Sequence, residues 1–252
     1  MKVGFLITAR LKSTRLPKKL LKTINGETMI SLMIKRLKLA NELSTIVIAT
    51  STNPEDDPLE LIAKQEGVEC FRGSEEDVIE RLYSAAKEYK LDYVINMTAD
   101  CPMVPFDYIG QLIETYKNTN ADLVSCYALP AGIFLSGLKI DGMKRLLELK
   151  DSANTEYWLY YYLKTDLFKV VPLPIDKSLI RENMRIVLDY PEDFEMIEKL
   201  YHGLGKYAYK ASTAEVIDFL DEHPEIVSIN KDCAVKGQIR TDEDPNSKVK
   251  LK

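Results

Sequence analysis

Five short apolar runs in the first half of this 252-residue chain, at 3–7, 45–50, 68–71, 93–97 and 123–126, alternate with stretches of helical period. Those stretches are 29–40, 58–66, 76–89 and 108–118, with Pro58 near a first turn, where a missing N–H is no loss. Runs that stay apolar without polar alternation are buried on both faces, as the strands of a parallel sheet are. Strand alternating with helix therefore predicts an α/β domain whose mainly parallel sheet carries helices on both sides. The rhythm loosens over 128–174, which holds Phe134, Tyr157, Trp158, Tyr160, Tyr161, Tyr162 and Phe168. It resumes with a strand pattern at 185–188 and helical patterns at 191–201 and 213–222. We expect one domain over 1–235, with an insertion at 128–174 that serves substrate or a second copy of the chain. Residues 236–252, rich in lysine and acid, read as a mobile tail.

The first run ends in a loop carrying Arg10, Lys12, Arg15, Lys18 and Lys19, with Ser13 and Thr14 between them and no acid. Open α/β sheets bind ligands at the carboxyl ends of their strands, and this loop stands at such an end. Guanidinium forks and a flexible ammonium suit a polyphosphate, and the two hydroxyls add donors. The net charge of −5 makes these cations a local feature, which suits a small anion better than nucleic acid. Neither Gly-x-x-x-x-Gly-Lys nor Gly-x-Gly-x-x-Gly occurs.

Hydrophobic residues at 46% and charged residues at 29% are ordinary for a globular domain. No apolar run reaches the roughly 18 residues of a membrane helix, and the start is strand-like rather than a charged leader. Cys70, Cys101, Cys126 and Cys233 lie far apart, with only His202 and His223 to join them. That spacing fits neither a zinc site nor a disulfide framework, so free thiols and a cytoplasmic location are expected.

Asp100 lies just past the 93–97 run, in Thr98-Ala99-Asp100-Cys101-Pro102. A carboxylate there, beside a cationic loop, can hold Mg²⁺ against phosphate oxygens. Asp189 follows the 185–188 run in the same way, although 89 residues separate the two acids and spacing alone does not pair them. Asp193 reads as a first-turn acid of the next helix. In Arg72-Gly73-Ser74-Glu75-Glu76-Asp77, Ser74 reads as an N-cap with Asp77 completing a capping pattern, while Arg72 has no evident structural duty. Asn154-Thr155-Glu156, before the aromatic run, is a candidate substrate-side element. No clear general base is present, and phosphoryl-type transfer can proceed by positioning and charge neutralisation alone.

Thr8-Ala9-Arg10, Ser13-Thr14-Arg15-Leu16-Pro17 with Lys19, and Asn25-Gly26-Glu27-Thr28-Met29-Ile30 together resemble the amino-terminal signature of the CMP-KDO synthetase superfamily, closest to its SpsF-like spore-coat branch. Asp100-Cys101-Pro102 matches that branch, and Leu188-Asp189-Tyr190-Pro191-Glu192-Asp193 resembles its second acidic block. Lys18 stands where the family usually has glycine, and Ala99 replaces the glycine of a Gly-Asp pair. The acid that some relatives carry after a glycine is missing at Gly132-Ile133-Phe134. The resemblance implies a Rossmann-like, GT-A-like nucleotidyltransferase fold and transfer of CMP from CTP to a small acidic sugar or related glycan precursor, with release of pyrophosphate. It implies Arg10, Arg15, Lys19, Asp100 and Asp189 as catalytic residues, and Mg²⁺ on Asp100 and Asp189. Ala9, Arg10, Ser13, Arg15, Lys19, Arg72, Thr98 and Asp100 would contact the nucleotide. A homodimer is implied as well, with the aromatic segment as its contact. A GT-A glycosyltransferase would favour an Asp-x-Asp pair, which Asp100-Cys101-Pro102 is not. A non-catalytic nucleotide-binding protein would have no reason to retain both acids.

Overall fold

The computed structural model describes residues 1–252, apart from the side chain of Arg240. In β1 (Val3–Thr8), Val3, Phe5 and Ile7 pack into one apolar cluster and Leu6 into a second, so the strand is buried on both faces. The chain then forms a short hairpin, β2 (Thr23–Ile24) and β3 (Glu27–Thr28), turned by Asn25 and Gly26, both at positive φ. It continues through α1 (Met29–Leu37), β4 (Thr45–Ser51), α2 (Asp57–Glu66), β5 (Glu69–Gly73), α3 (Val78–Glu88), β6 (Tyr93–Thr98), α4 (Ile109–Thr119) and β7 (Leu123–Ser125). After these come β8 (Ser136–Lys139), α5 (Ile140–Leu149), α6 (Leu159–Leu163) and β9 (Val170–Pro172). The chain ends with α7 (Pro191–Leu204), α8 (Thr213–Glu222), α9 (Pro224–Val227) and α10 (Cys233–Glu243).

Among the described residues the main sheet has seven strands in the order β5-β4-β1-β6-β8-β7-β9. All run parallel except β8, which pairs antiparallel with both β6 and β7. The alternation in the first half therefore forms the expected parallel sheet between two helical layers. From β1 the chain builds outward to β4 and β5, then crosses to β6 on the other side. Such a reversal opens a crevice beyond the strand ends, here between Thr8 and Thr98.

The second half departs from expectation in four places. Residues 128–174 are no separate insertion, because β8 and β9 take places in the main sheet. Four of their seven aromatics also pack inward, while Phe134, Tyr157 and Tyr160 stay half-buried. Trp158, Tyr161, Tyr162 and Phe168 are buried with Leu82, Leu138 and Leu146 against the face that α3 and α5 cover. The 185–188 run is not a strand and makes one isolated parallel bridge, Ala131 to Arg185. Its alternation reflects one-sided burial of Met184, Ile186 and Leu188 without a neighbouring ladder. Lastly, the expected tail begins as the second half of α10 and returns to the body. Lys250 O accepts from Asp151 N at 2.8 Å and Leu149 O from Lys252 N at 3.0 Å, while Val249 packs on the aromatic cluster.

Candidate active site

The loop after β1 is held from behind by Asp56. This carboxylate is 3% exposed and accepts the Leu11 N–H at 2.7 Å on one oxygen and the Ser51 hydroxyl on the other. Lys18, where relatives usually have glycine, adopts φ 52°, so the loop keeps a left-handed turn there without glycine. The following 3-10 turn (Lys19–Leu21) points the Lys19 ammonium back toward the strand ends.

Asp100 and Asp189 do converge, and backbone hydrogen bonds bring them together. Leu188 N–H donates to Asp100 O at 2.8 Å, and Ile186 N–H to Ala131 O at 2.7 Å. Gly132, at φ 95°, makes the second approach possible, since a Cβ there would stand 2.2 Å from Ile186 O. The end of the segment is fixed by Asp193, fully buried, whose Oδ2 accepts the N–H groups of both Asp189 and Tyr190 at 2.9 Å. Arg185 and Asn230 hold Asp193 in turn, at 3.2 and 2.8 Å. Asp193 is thus a clamp on the second acid as well as a helix-start residue.

Lys19 Nζ bridges the acids, 2.7 Å from Asp100 Oδ2 and 2.8 Å from Asp189 Oδ1. Arg15 Nη2 reaches the same Asp189 oxygen at 2.6 Å, and Arg185 Nη2 reaches Asp189 Oδ2 at 2.9 Å. Burial pushes the Asp189 carboxyl up, but Lys19 and Arg15 outweigh it and hold the group well below the usual carboxylate range. Burial likewise opposes the Lys19 charge, yet the two carboxylates keep its ammonium above its ordinary value. Burial and the adjacent Asp100 drive the Cys101 thiol well up.

These groups open onto a cleft of about 420 Å³, lined on one side by Arg10, Lys12, Ser13, Thr14, Arg15 and Lys19. Thr98, Ala99, Asp100 and Asp189 form its floor, and Glu76, Val78, Glu156 and Trp158 its far wall. Arg10 spans the mouth, donating to Glu75 O at 3.3 Å with its Nη2 3.6 Å from Glu156. Arg81 lies beneath it with its side chain buried, donating to Ser74 O and Glu75 O. Burial and then the nearby Arg10 lower its pKa to about 10.

Two expected nucleotide contacts are not brought to the cleft. The Arg72 guanidinium is taken by Ser51 O at 2.9 Å, Asn53 O at 2.8 Å and the carboxylates of Asp57 and Glu60, a structural duty that the sequence did not disclose. Ala9 is buried, and its N–H donates to Ala49 O at 3.2 Å. The cap of α3 is Asp77, which accepts from Glu80 N, while Ser74 accepts from Asp77 N one turn earlier. Of the 154–156 element, only Glu156 lines the cleft. Thr155 and Asn154 tie this segment to Asp77 and Glu76.

Two carboxylates offer hard oxygens in the number that Mg²⁺ usually takes from protein when phosphates supply the rest, so the donor set fits a divalent cation. No group of three or more metal-capable side chains exists among the described residues. A cationic loop and paired acids thus meet at the switch point of a mainly parallel, Rossmann-like sheet.

The chain belongs to the cytidylyltransferase family, whose model matches residues 5–218. It is therefore a CTP-dependent nucleotidyltransferase. It is 29% identical over 229 residues to the spore coat polysaccharide biosynthesis protein SpsF of Bacillus subtilis, covering 88% of this chain and 95% of that one. It is also 29% identical over 236 residues to the 3-deoxy-manno-octulosonate cytidylyltransferase of Nitratiruptor, covering 84% and 90%. The solved cytidylyltransferase of Leptospira borgpetersenii superposes with a TM-score of 0.83 at 26% identity, covering 90% of this chain and 97% of that one. The resemblance read from the first thirty residues and the two acidic blocks thus extends over most of the chain, and the glycosyltransferase alternative falls away.

Proposed function

We propose that this enzyme transfers CMP from CTP to a hydroxyl of a sugar or related glycan precursor and releases pyrophosphate. The observation that carries this reading is the meeting of Arg15, Lys19, Asp100 and Asp189 in one cleft. Arg10, Arg15 and Lys19 hold the phosphates and neutralise the departing pyrophosphate, with Ser13 adding a hydroxyl donor. Thr98 and Ala99 support the nucleotide from the cleft floor. Asp100 and Asp189 hold Mg²⁺, which supplies Lewis-acid stabilisation of phosphoryl charge when bound. An acidic acceptor is the expectation that the relatives suggest. Working in the cytoplasm agrees with four cysteines that are free thiols. No helix among the described residues is long and apolar enough to cross a membrane. A homodimer is also proposed, and of the aromatic run at 157–162 only the half-buried Tyr157 and Tyr160 are available to its contact.

The test is pyrophosphate release from each of the four nucleoside triphosphates with Mg²⁺ and a panel of acidic and neutral sugars. Release is expected with CTP and one acceptor class, and its loss on chelation. Asp100→Asn and Asp189→Asn should each lower turnover at least about a hundredfold, near 3 kcal/mol of transition-state stabilisation. Release that is equal for all four nucleotides, or unchanged in either variant, contradicts the assignment.

A further inference from the structure

The paired acids are neutralised by cations of the chain itself. Asp189 and Asp193 share Arg185, Asp189 also takes Arg15, and Lys19 lies between Asp189 and Asp100. Three carboxylates thus face three cations, a cluster with no net charge. Asp100 Oδ2 and both oxygens of Asp189 each accept at least one charge-assisted hydrogen bond. The Lys19 side chain is 12% exposed and lines the cleft beside both acids.

A free dication meets no net attraction at a neutral cluster, and it must also displace an ammonium from the space between its own ligands. A bound triphosphate reverses both terms. Its oxygens offer Lys19 and Arg15 new partners of the kind that ammonium and guanidinium groups bind best. Its charge also leaves the cleft strongly negative, and the two acids are released as ligands.

We propose that Lys19 excludes divalent cations from Asp100 and Asp189 until the nucleotide draws it away, so that metal enters with CTP and not before it. Arg15 has the same effect on Asp189 from the other side. The inference rests on the reading that these two acids hold the metal. It assigns Lys19 a second duty beyond phosphate binding: it guards the acid pair and sets the order of loading.

Manganese uptake by the full-length protein, followed by the electron paramagnetic resonance signal of free Mn²⁺, tests this without catalysis. The wild type alone should take up Mn²⁺ at least about tenfold more weakly than in the presence of α,β-methylene CTP, after subtraction of binding by the free analogue. Lys19→Gln alone should bind Mn²⁺ at least about tenfold more tightly than the wild type alone, whereas Lys19→Arg, which keeps the charge, should not. If Lys19→Gln fails to fold, Arg15→Gln removes one of the cations on the same Asp189 oxygen and should give a gain of the same sign. Tight uptake by the nucleotide-free wild type overturns the proposal while leaving the metal site in place. A folded Lys19→Gln with no gain overturns it as well. Absence of Mn²⁺ uptake even with the analogue overturns the metal reading itself, which distinguishes the two failures.

Discussion

Lys18 shows how one residue can depart from a family pattern while the backbone it serves does not. Relatives usually carry glycine there, and this chain keeps φ at 52° with a lysine. A Cβ in the left-handed region costs about 1 kcal/mol, a cost that glycine avoids. Part of that gain is returned through the greater freedom of glycine in the unfolded chain. Lys18 is exposed and does not line the cleft, so its charge is not needed there. Lys18→Gly should therefore raise unfolding stability in urea by about 0.5 kcal/mol and leave the KM for CTP unchanged. A fall in stability would mean that the lysine contributes contacts that outweigh the strain. At this scale the sequence was legible where chemistry is local. The cations after β1, Lys18 apart, and the acid after β6 stand at strand ends and line the cleft. Arg72 is turned away from the cleft by Ser51 O and Asn53 O, backbone acceptors that composition does not reveal, together with Asp57 and Glu60. Asp56 went unnoticed for the same reason, since its partner is the Leu11 N–H.

Between elements, the informative feature is the clamp that joins α3 to the segment before α6. Thr155, 1% exposed, donates its hydroxyl hydrogen to Asp77 Oδ1 at 2.8 Å and accepts the Ile79 N–H at 3.0 Å. Lys150 Nζ closes the set at Asp77 Oδ2, and Thr155 N–H donates to Glu76 O at 3.1 Å. The far wall of the cleft, with Glu76 and Val78 from one segment and Glu156 and Trp158 from the other, depends on this joint. Thr155→Val keeps the volume but leaves the Ile79 N–H without its acceptor, which should cost about 2 kcal/mol. Hydrogen exchange should quicken over residues 150–158 and at the start of α3, while the loop after β1 keeps wild-type protection. Uniform acceleration across the protein would show that the clamp is not local. Helical period located α3 to within two residues, but the cap assignment slipped from Asp77 to Ser74. The two residues can each accept from a nearby backbone N–H, and only the tertiary partners Thr155 and Lys150 separate their roles. The 185–188 run failed as a strand for a related reason. Alternating burial looks the same whether a neighbouring strand or a loop backbone supplies the partner.

For the molecule as a whole, the aromatic run decides how the sheet is covered and what is left for assembly. Trp158 is 7% exposed and meets Tyr162 edge-on at 5.9 Å, and Tyr162 lies 4.4 Å from Phe168. These rings fill the layer over β7 and β8 beside α3 and α5, so they belong to the core of one chain. Their number suggested an interface because the first-half pattern already supplied a sheet with both faces covered. What periodicity could not show was that β8 and β9 would widen that sheet and need a cover of their own. Truncating a buried tryptophan costs about 3–5 kcal/mol through lost contacts and the cavity left behind. Trp158→Ala should accordingly lower the free energy of unfolding by that amount, while light scattering of the folded protein gives the same mass as the wild type. The chain mass of 28.8 kDa makes one copy and two easy to tell apart. A wild-type dimer that becomes a monomer in folded Trp158→Ala would return the ring to an interface and contradict its place in the core. An unchanged dimer would send the search for the contact to other surfaces, and an unchanged monomer would remove the dimer from the account of this enzyme.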